Sequence, residues 1–140
     1  HILQTIVETL ACTAAGMYLL DDATSVLQLR TMCGLRIDSL IAEPRNLETA
    51  RADLEAMLGH AVVLSNKQMF ELWQVPETDF ETAVCVPLAT ATTVLGTVWI
   101  YHTKSRPFSD PEVNLIEVLT GRLAMELESA TWKIAQPISG

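Results

Sequence analysis

Apolar positions at Ile2, Leu3, Ile6, Val7, Leu10 and Ala11 recur at helical spacing and predict a helix over 2–13. Gly16 breaks that period. Met17 to Leu20 is continuously apolar, Asp21 to Ser25 carries turn chemistry, and Val26 to Met32 alternates, with Leu27 and Leu29 opposite Gln28 and Arg30. This pattern predicts a β-hairpin that ends at Gly34. Residues 36–46 mix polar and apolar positions around Pro44 and read as a loop. Leu47 to Leu58 predicts a helix with Ala50, Leu54, Met57 and Leu58 on one side, while Glu48, Arg51, Asp53 and Glu55 supply charge. Asn46 is its expected N-cap and Gly59 the residue just past its end. Ala61 to Leu64 is a short strand, and Asn66 to Trp73 a short helix with Met69, Phe70 and Trp73 at helical spacing.

Two further apolar runs, Thr82 to Leu88 and Val94 to Tyr101, are rich in β-branched and aromatic residues and are joined by the polar turn Thr90-Ala91-Thr92-Thr93. They predict a second hairpin. After Pro107, Ser109 or Asp110 caps a long final helix over 110–133, with Pro111 in its first turn and a stripe of Leu115, Ile116, Leu119, Leu123, Leu127 and Ala130. Hairpins in this order make an antiparallel sheet, and the terminal helices need one of its faces for their stripes. The expected class is α+β.

Composition narrows the functional range. A chain of 140 residues with 49% hydrophobic residues forms one domain with a real core. It is read as a single domain over 1–136 with a tail at 137–140, excised from a longer protein into which the terminal helices continue. Nine basic against 17 acidic residues give a net charge of −8, which disfavours binding to a phosphate backbone. The densest basic stretch is only Lys104 and Arg106. Cys12, Cys33 and Cys85 are odd in number and widely spaced, so neither a disulfide framework nor a zinc site built on cysteine pairs is expected. The expected compartment is the reducing cytoplasm, with no membrane contact by this domain.

The C-terminal half carries a family likeness. Val86-Pro87-Leu88, then Val94-Leu95-Gly96-Thr97-Val98, then Pro107-Phe108-Ser109-Asp110 opening a long helix, follow in order and spacing the pattern of GAF domains, which the chain resembles over about residues 2–133. Met17 to Asp22 and Cys33-Gly34-Leu35 match more loosely. Physical chemistry agrees at these landmarks: Pro87 fits a strand edge or bulge, Gly96 a close backbone approach or bulge, and Phe108 a staple against the final helix. The resemblance implies a profilin-like antiparallel sheet of about five or six strands, terminal helices on one face, and middle helices and loops on the other. It also implies a non-catalytic sensory module of a bacterial signalling protein, such as a histidine kinase or transcription regulator. Such a module binds a small ligand or partner and relays the signal to an output domain of the same chain through dimerising terminal helices. A degenerate domain that only dimerises and spaces its neighbours is the alternative, followed by a small cysteine-dependent enzyme on the same fold.

The cofactors known to the family each lack their residues here. Cyclic-nucleotide binders carry an Asn-Lys pair, a Phe and an Asp-Glu pair, and the matching stretch His102 to Val113 holds only Lys104, Phe108 and Glu112. Asn66-Lys67 lies on the wrong element. No cysteine stands in the helices at 47–58 and 66–73 to hold a bilin, and His1, His60 and His102 form no ligand-spaced set for haem or another metal. No catalytic residues and no metal ligands are expected. The remaining candidate is an apolar, aromatic pocket. Parity along 94–101 sends Val98 and Ile100 to the terminal-helix face and Thr97, Trp99 and Tyr101 to the other, with Cys85 beside them and Phe70 and Trp73 as a roof. Surplus apolar positions predict a homodimer interface at Ile6, Leu10, Val118, Met125 and Trp132.

Overall fold

In a computed structural model, residues 2–135 are described, with only the backbone for 131–135. Six strands, β1 (Ala14–Asp21), β2 (Val26–Cys33), β3 (Arg45–Asn46), β4 (Val62–Leu64), β5 (Thr82–Ala89) and β6 (Val94–His102), form one sheet in the order β3-β2-β1-β6-β5-β4. Every neighbouring pair is antiparallel. The two hairpins are therefore fused edge to edge through β1 and β6. Among the described residues four α-helices accompany the sheet: α1 (Ile2–Thr9), α2 (Arg51–Met57), α3 (Phe70–Trp73) and α4 (Asp110–Ala135).

Side-chain alternation divides the interior into two cores. On one face Met17, Val84, Val86, Leu88, Val98 and Ile100 meet Leu3, Ile6 and Leu10 at the N-terminus and Ile116 and Ala124 of α4. Full burial of each large aliphatic side chain there contributes about 1.5–3 kcal/mol. On the other face Tyr18, Leu27, Leu29, Cys85, Trp99 and Tyr101 meet Ala52 and Ala56 of α2 and Phe70 of α3. The start of α4 is held by a reciprocal pair: the Ser109 N–H donates to Glu112 Oε1 at 3.0 Å, and the Glu112 N–H donates to Ser109 Oγ at 3.3 Å. The Ser109 N–H first, and then Arg106, hold the Glu112 carboxyl below its ordinary range.

Three local expectations are corrected. The first helix stops at Thr9, because Ala11 turns to φ +52° and the Cys12 N–H closes back on the Val7 carbonyl at 2.9 Å. This frees the chain to enter β1 three residues before Met17. Residues 36–46 are more than loop: they hold a 3₁₀ turn at Ile37–Ile41 and the edge strand β3, whose Arg45 pairs with Leu27. The second helix begins at Arg51 behind Ala50, and Asn46 instead accepts the Glu48 N–H in a turn ahead of it. It also faces the sheet differently. Ala50, Ala52, Asp53 and Ala56 are buried, whereas Leu54 and Leu58 are 37% and 73% exposed. Small alanines let the helix backbone approach the sheet closely, and that advantage outweighs burying two leucines. Gly59, at φ +101°, does stand just past the helix end.

Gly96 fulfils the close-approach reading. A Cβ there would lie 1.9 Å from the Tyr18 carbonyl oxygen on β1. Two central strands would have to separate to admit it. Gly96→Ala should lower unfolding free energy by about 3 kcal/mol or more, measured by urea denaturation with the wild-type chain as reference.

Candidate functional site

The second face of the sheet is organised around a buried charge. Asp53 on α2 is fully buried, and an isolated carboxylate there would cost several kcal/mol. Three donors converge on it. Thr97 Oγ1 and Trp99 Nε1, neighbours on one face of β6, donate to Oδ2 at 2.7 and 3.0 Å. Arg45 Nη2, reaching in from β3, donates to Oδ1 at 2.7 Å. The same Nη2 donates to the Gln74 carbonyl at 2.6 Å, where Gln74 closes α3 in a left-handed conformation at φ +55°. The guanidinium also stands 5.9 Å from the centre of the Tyr18 ring. One arginine thus ties edge strand, α2, α3 and the sheet into a single joint.

The six residues expected to form a pocket do share this layer. Phe70, Cys85, Trp99 and Tyr101 are buried in it, Trp73 packs against it, and Thr97 holds Asp53. They are packed against one another and enclose no large cavity: the Trp99 and Tyr101 rings stack at 6.1 Å, and Phe80 stacks on Tyr101 at 4.9 Å. Trp73 lies under the Arg51 guanidinium at 5.2 Å. Open space lies beside them: an open groove of about 590 Å³ is lined by Phe70 with Lys67, Glu71, Gln74, Val75 and Thr78, and a smaller, more enclosed cleft lies toward β3. This cleft of about 120 Å³ lies between Tyr18, Leu29 and Arg45 on the sheet side, Ser39 in the 3₁₀ turn with Ala42 and Glu43 just after it, and Pro76 and Glu77. None of the six lines it.

Burial governs the electrostatics of the ionisable side chains here. Burial, and then the charge of Asp53, push the Cys85 thiol up, and burial pushes Cys12 up as well. The fully buried Cys85 thiol is therefore a poor nucleophile. Burial first, then Arg45 in opposition, leave the Tyr18 phenol well above its ordinary range, so it stays a neutral donor. Among the described residues no group of His, Cys, Asp and Glu is arranged to hold a metal ion. Among the described residues, two buried side-chain polar atoms lack partners, Arg45 Nε and the Tyr101 hydroxyl.

Sequence reasoning missed Asp53, Arg45, Tyr18 and Glu77. The usable signal was an aspartate between Ala52 and Ala56 on a helix destined for a strand face that carries Thr97 and Trp99 as donors. The expected interface residues separate as well. Ile6 and Leu10 lie buried in the chain's own core, Val118 and Met125 are 61% and 65% exposed, and the Trp132 side chain lies outside the described residues.

Asp53→Asn keeps the shape but leaves Arg45 without its counter-charge. It should cost about 3 kcal/mol of stability, read by urea denaturation; a loss below about 1 kcal/mol would show that the ion pair contributes little.

The arrangement has relatives. A GAF domain family model matches residues 1–127. The GAF domain of a phosphoenolpyruvate-protein phosphotransferase from Coxiella burnetii is similar at TM-score 0.82 and 19% identity, covering 96% of this chain and 83% of that one. Its counterpart from Acinetobacter gives 0.81 and 18%, covering 99% and 83%. A domain of a putative two-component sensor histidine kinase from Sinorhizobium meliloti gives 0.71 and 17%, covering 96% and 93%. No curated protein matches the chain in sequence. At these identities the solved structures establish the fold alone, and the family match adds the lineage. The chain belongs to the GAF domain family.

Proposed function

We propose that this GAF domain is a non-catalytic sensory module that binds a small ligand in the cleft beside Arg45 and relays its occupancy through paired terminal helices. The observation that carries this reading is the double position of Arg45. It lines the cleft, and it holds the Asp53 carboxylate that grips Thr97 and Trp99. Those two residues alternate along β6 with Val98 and Ile100, which pack in the core beneath the terminal helices. A ligand that repositions Arg45 therefore acts on a strand whose other face supports α1 and α4.

The size of the cleft bears on the ligand. At about 120 Å³ it is well below the roughly 300–1,000 Å³ of sites for larger organic ligands. That supports the reading that haem, bilin and cyclic nucleotide are not its occupants. The packing around Trp99 and Tyr101 favours a second reading, in which the domain only dimerises and spaces its neighbours. A ligand for the cleft separates the two readings.

Both readings use the outer side of α4. Leu115, Val118, Arg122 and Met125 repeat at alternating three- and four-residue steps and are all exposed. This is the spacing of a seam between two helices. No helix among the described residues is long and apolar enough to cross a membrane, so the stripe is not explained as part of a span. Sedimentation equilibrium should show a dimer for the wild-type chain and a monomer for Val118→Glu combined with Met125→Glu, with the same circular dichroism. A wild-type monomer at the highest soluble concentration would contradict the pairing.

A further inference from the structure

The two halves of α4 are held very differently. At its start Arg106 gathers three groups: Nη1 donates to the Leu10 carbonyl just past α1 at 2.9 Å, Nη2 pairs with Glu112 in the first turn, and the guanidinium stands 4.2 Å from the centre of the Phe108 ring. Together with the reciprocal Ser109–Glu112 pair, these contacts fix the foot of α4 to the end of α1. Beyond Gly121 apolar contact fades, from buried Ala124 to part-buried Leu127 and exposed Ala130. Among the described residues there, one side-chain hydrogen bond reaches the rest of the domain. The Thr90 hydroxyl, in the β5–β6 turn, accepts the Thr92 and Thr93 N–H groups at 3.3 and 3.1 Å and donates its own proton to Glu128 Oε2 at 2.9 Å. Beside this tie, helix and turn stand apart across an open groove lined by Thr92, Thr93, Met125, Glu128 and Ser129.

Between foot and tie lie two adjacent weak positions. Thr120 is fully buried, one turn from Ile116 and one from Ala124 in the aliphatic core. Its hydroxyl turns back to the Ile116 carbonyl at 2.6 Å, the same carbonyl that the helix ladder offers to the Thr120 N–H. Back-bonding of this kind weakens the ladder and bends helices. Gly121 follows directly. A Cβ there would meet nothing within 4 Å, so packing does not call for glycine, and glycine favours a helix interior about fivefold less than alanine. We propose that Thr120 and Gly121 form a bend point in α4, at which its far half swings from the sheet when the Thr90–Glu128 tie is released. This deepens the relay proposed above and rests on that reading for its use, though not for its existence. The tie starts from the turn that joins β5 to β6, so a displacement of β6 reaches the far half directly. The bend point also divides the exposed stripe on α4: Leu115 and Val118 stay with the foot, and Met125 moves. A second copy seated on that stripe meets a different surface in the straight and the bent helix.

The test is a pair of spin-label distances measured by pulsed electron resonance in the 140-residue chain with Cys12→Ser and Cys33→Ser. One label at Arg30→Cys on β2 is paired with Ala130→Cys on the far half or with Asn114→Cys near the foot, all three positions being exposed. Excess unlabelled chain keeps pairing between copies from adding distances, so the bend is read whether or not the helices pair and whether or not the cleft binds a ligand. Ala130 lies about 13 Å along the helix from Gly121, so a kink of about 20° moves it by about 5 Å. Glu128→Ala should add a second Arg30–Ala130 distance shifted by about that much, while the Arg30–Asn114 distance stays single. Adding Gly121→Ala and Thr120→Val to Glu128→Ala should remove the second distance. A single Arg30–Ala130 distance in Glu128→Ala would overturn the proposal. So would a second distance that survives the two stiffening substitutions, or one that appears equally at Asn114, since the helix would then move elsewhere or as a whole.

Discussion

The half of this domain that packs α2 against the sheet depends on the satisfaction of one carboxylate. Asp53 lies at the contact of α2 with the sheet, where burial would otherwise drive a charge back into water or force it to neutralise. The hydroxyl of Thr97, the indole of Trp99 and the guanidinium of Arg45 remove that penalty together. The donors come from two constraints: two from the alternation of β6, and one from an edge strand only two residues long. α2 is therefore seated by hydrogen bonds as much as by the small apolar contacts of Ala52 and Ala56. The arginine that completes the set extends the joint to the end of α3 and to the wall of the cleft.

β6 is the element through which the two cores meet. Its residues alternate between a polar, aromatic face bound to Asp53 and an aliphatic face that helps support the terminal helices. Gly96 fixes where this strand lies against β1, since the Tyr18 carbonyl occupies the space of its missing side chain. Tyr18 then continues into the cleft. The same backbone contact that sets the register thus places a cleft residue, which links the fold to the candidate site without a long chain of intermediates.

Much of this was legible in the sequence. The two hairpins, the parity of 94–101, the cap at Ser109 and the role of Gly96 follow from local patterns whose physical causes are also local. The family likeness rests on those landmarks in order, and it survives at identities near 18% because they specify the sheet and the helix starts. What stayed hidden depends on contacts distant in sequence. Asp53 reads as a solvated helix charge until Thr97 and Trp99, more than forty residues later, are placed beside it. Arg45 reads as part of a loop until β3 pairs with β2. The inward face of α2 was misassigned because hydrophobicity alone favours Leu54 and Leu58, whereas close helix–sheet approach favours alanine. The shorter first helix has the same character, because its end is fixed by the entry into β1, where the Thr13 N–H bonds the Tyr101 carbonyl.

The central claim is that Arg45 couples the cleft to β6 through Asp53. Hydrogen exchange at the Trp99 indole N–H reads this most directly, because that proton is donated to the same carboxylate. In Arg45→Gln the account predicts indole exchange accelerated well beyond what the drop in global stability explains, while backbone amides of Val84 and Val86 follow global stability alone. Indole exchange that tracks global stability in step with those amides would contradict the coupling.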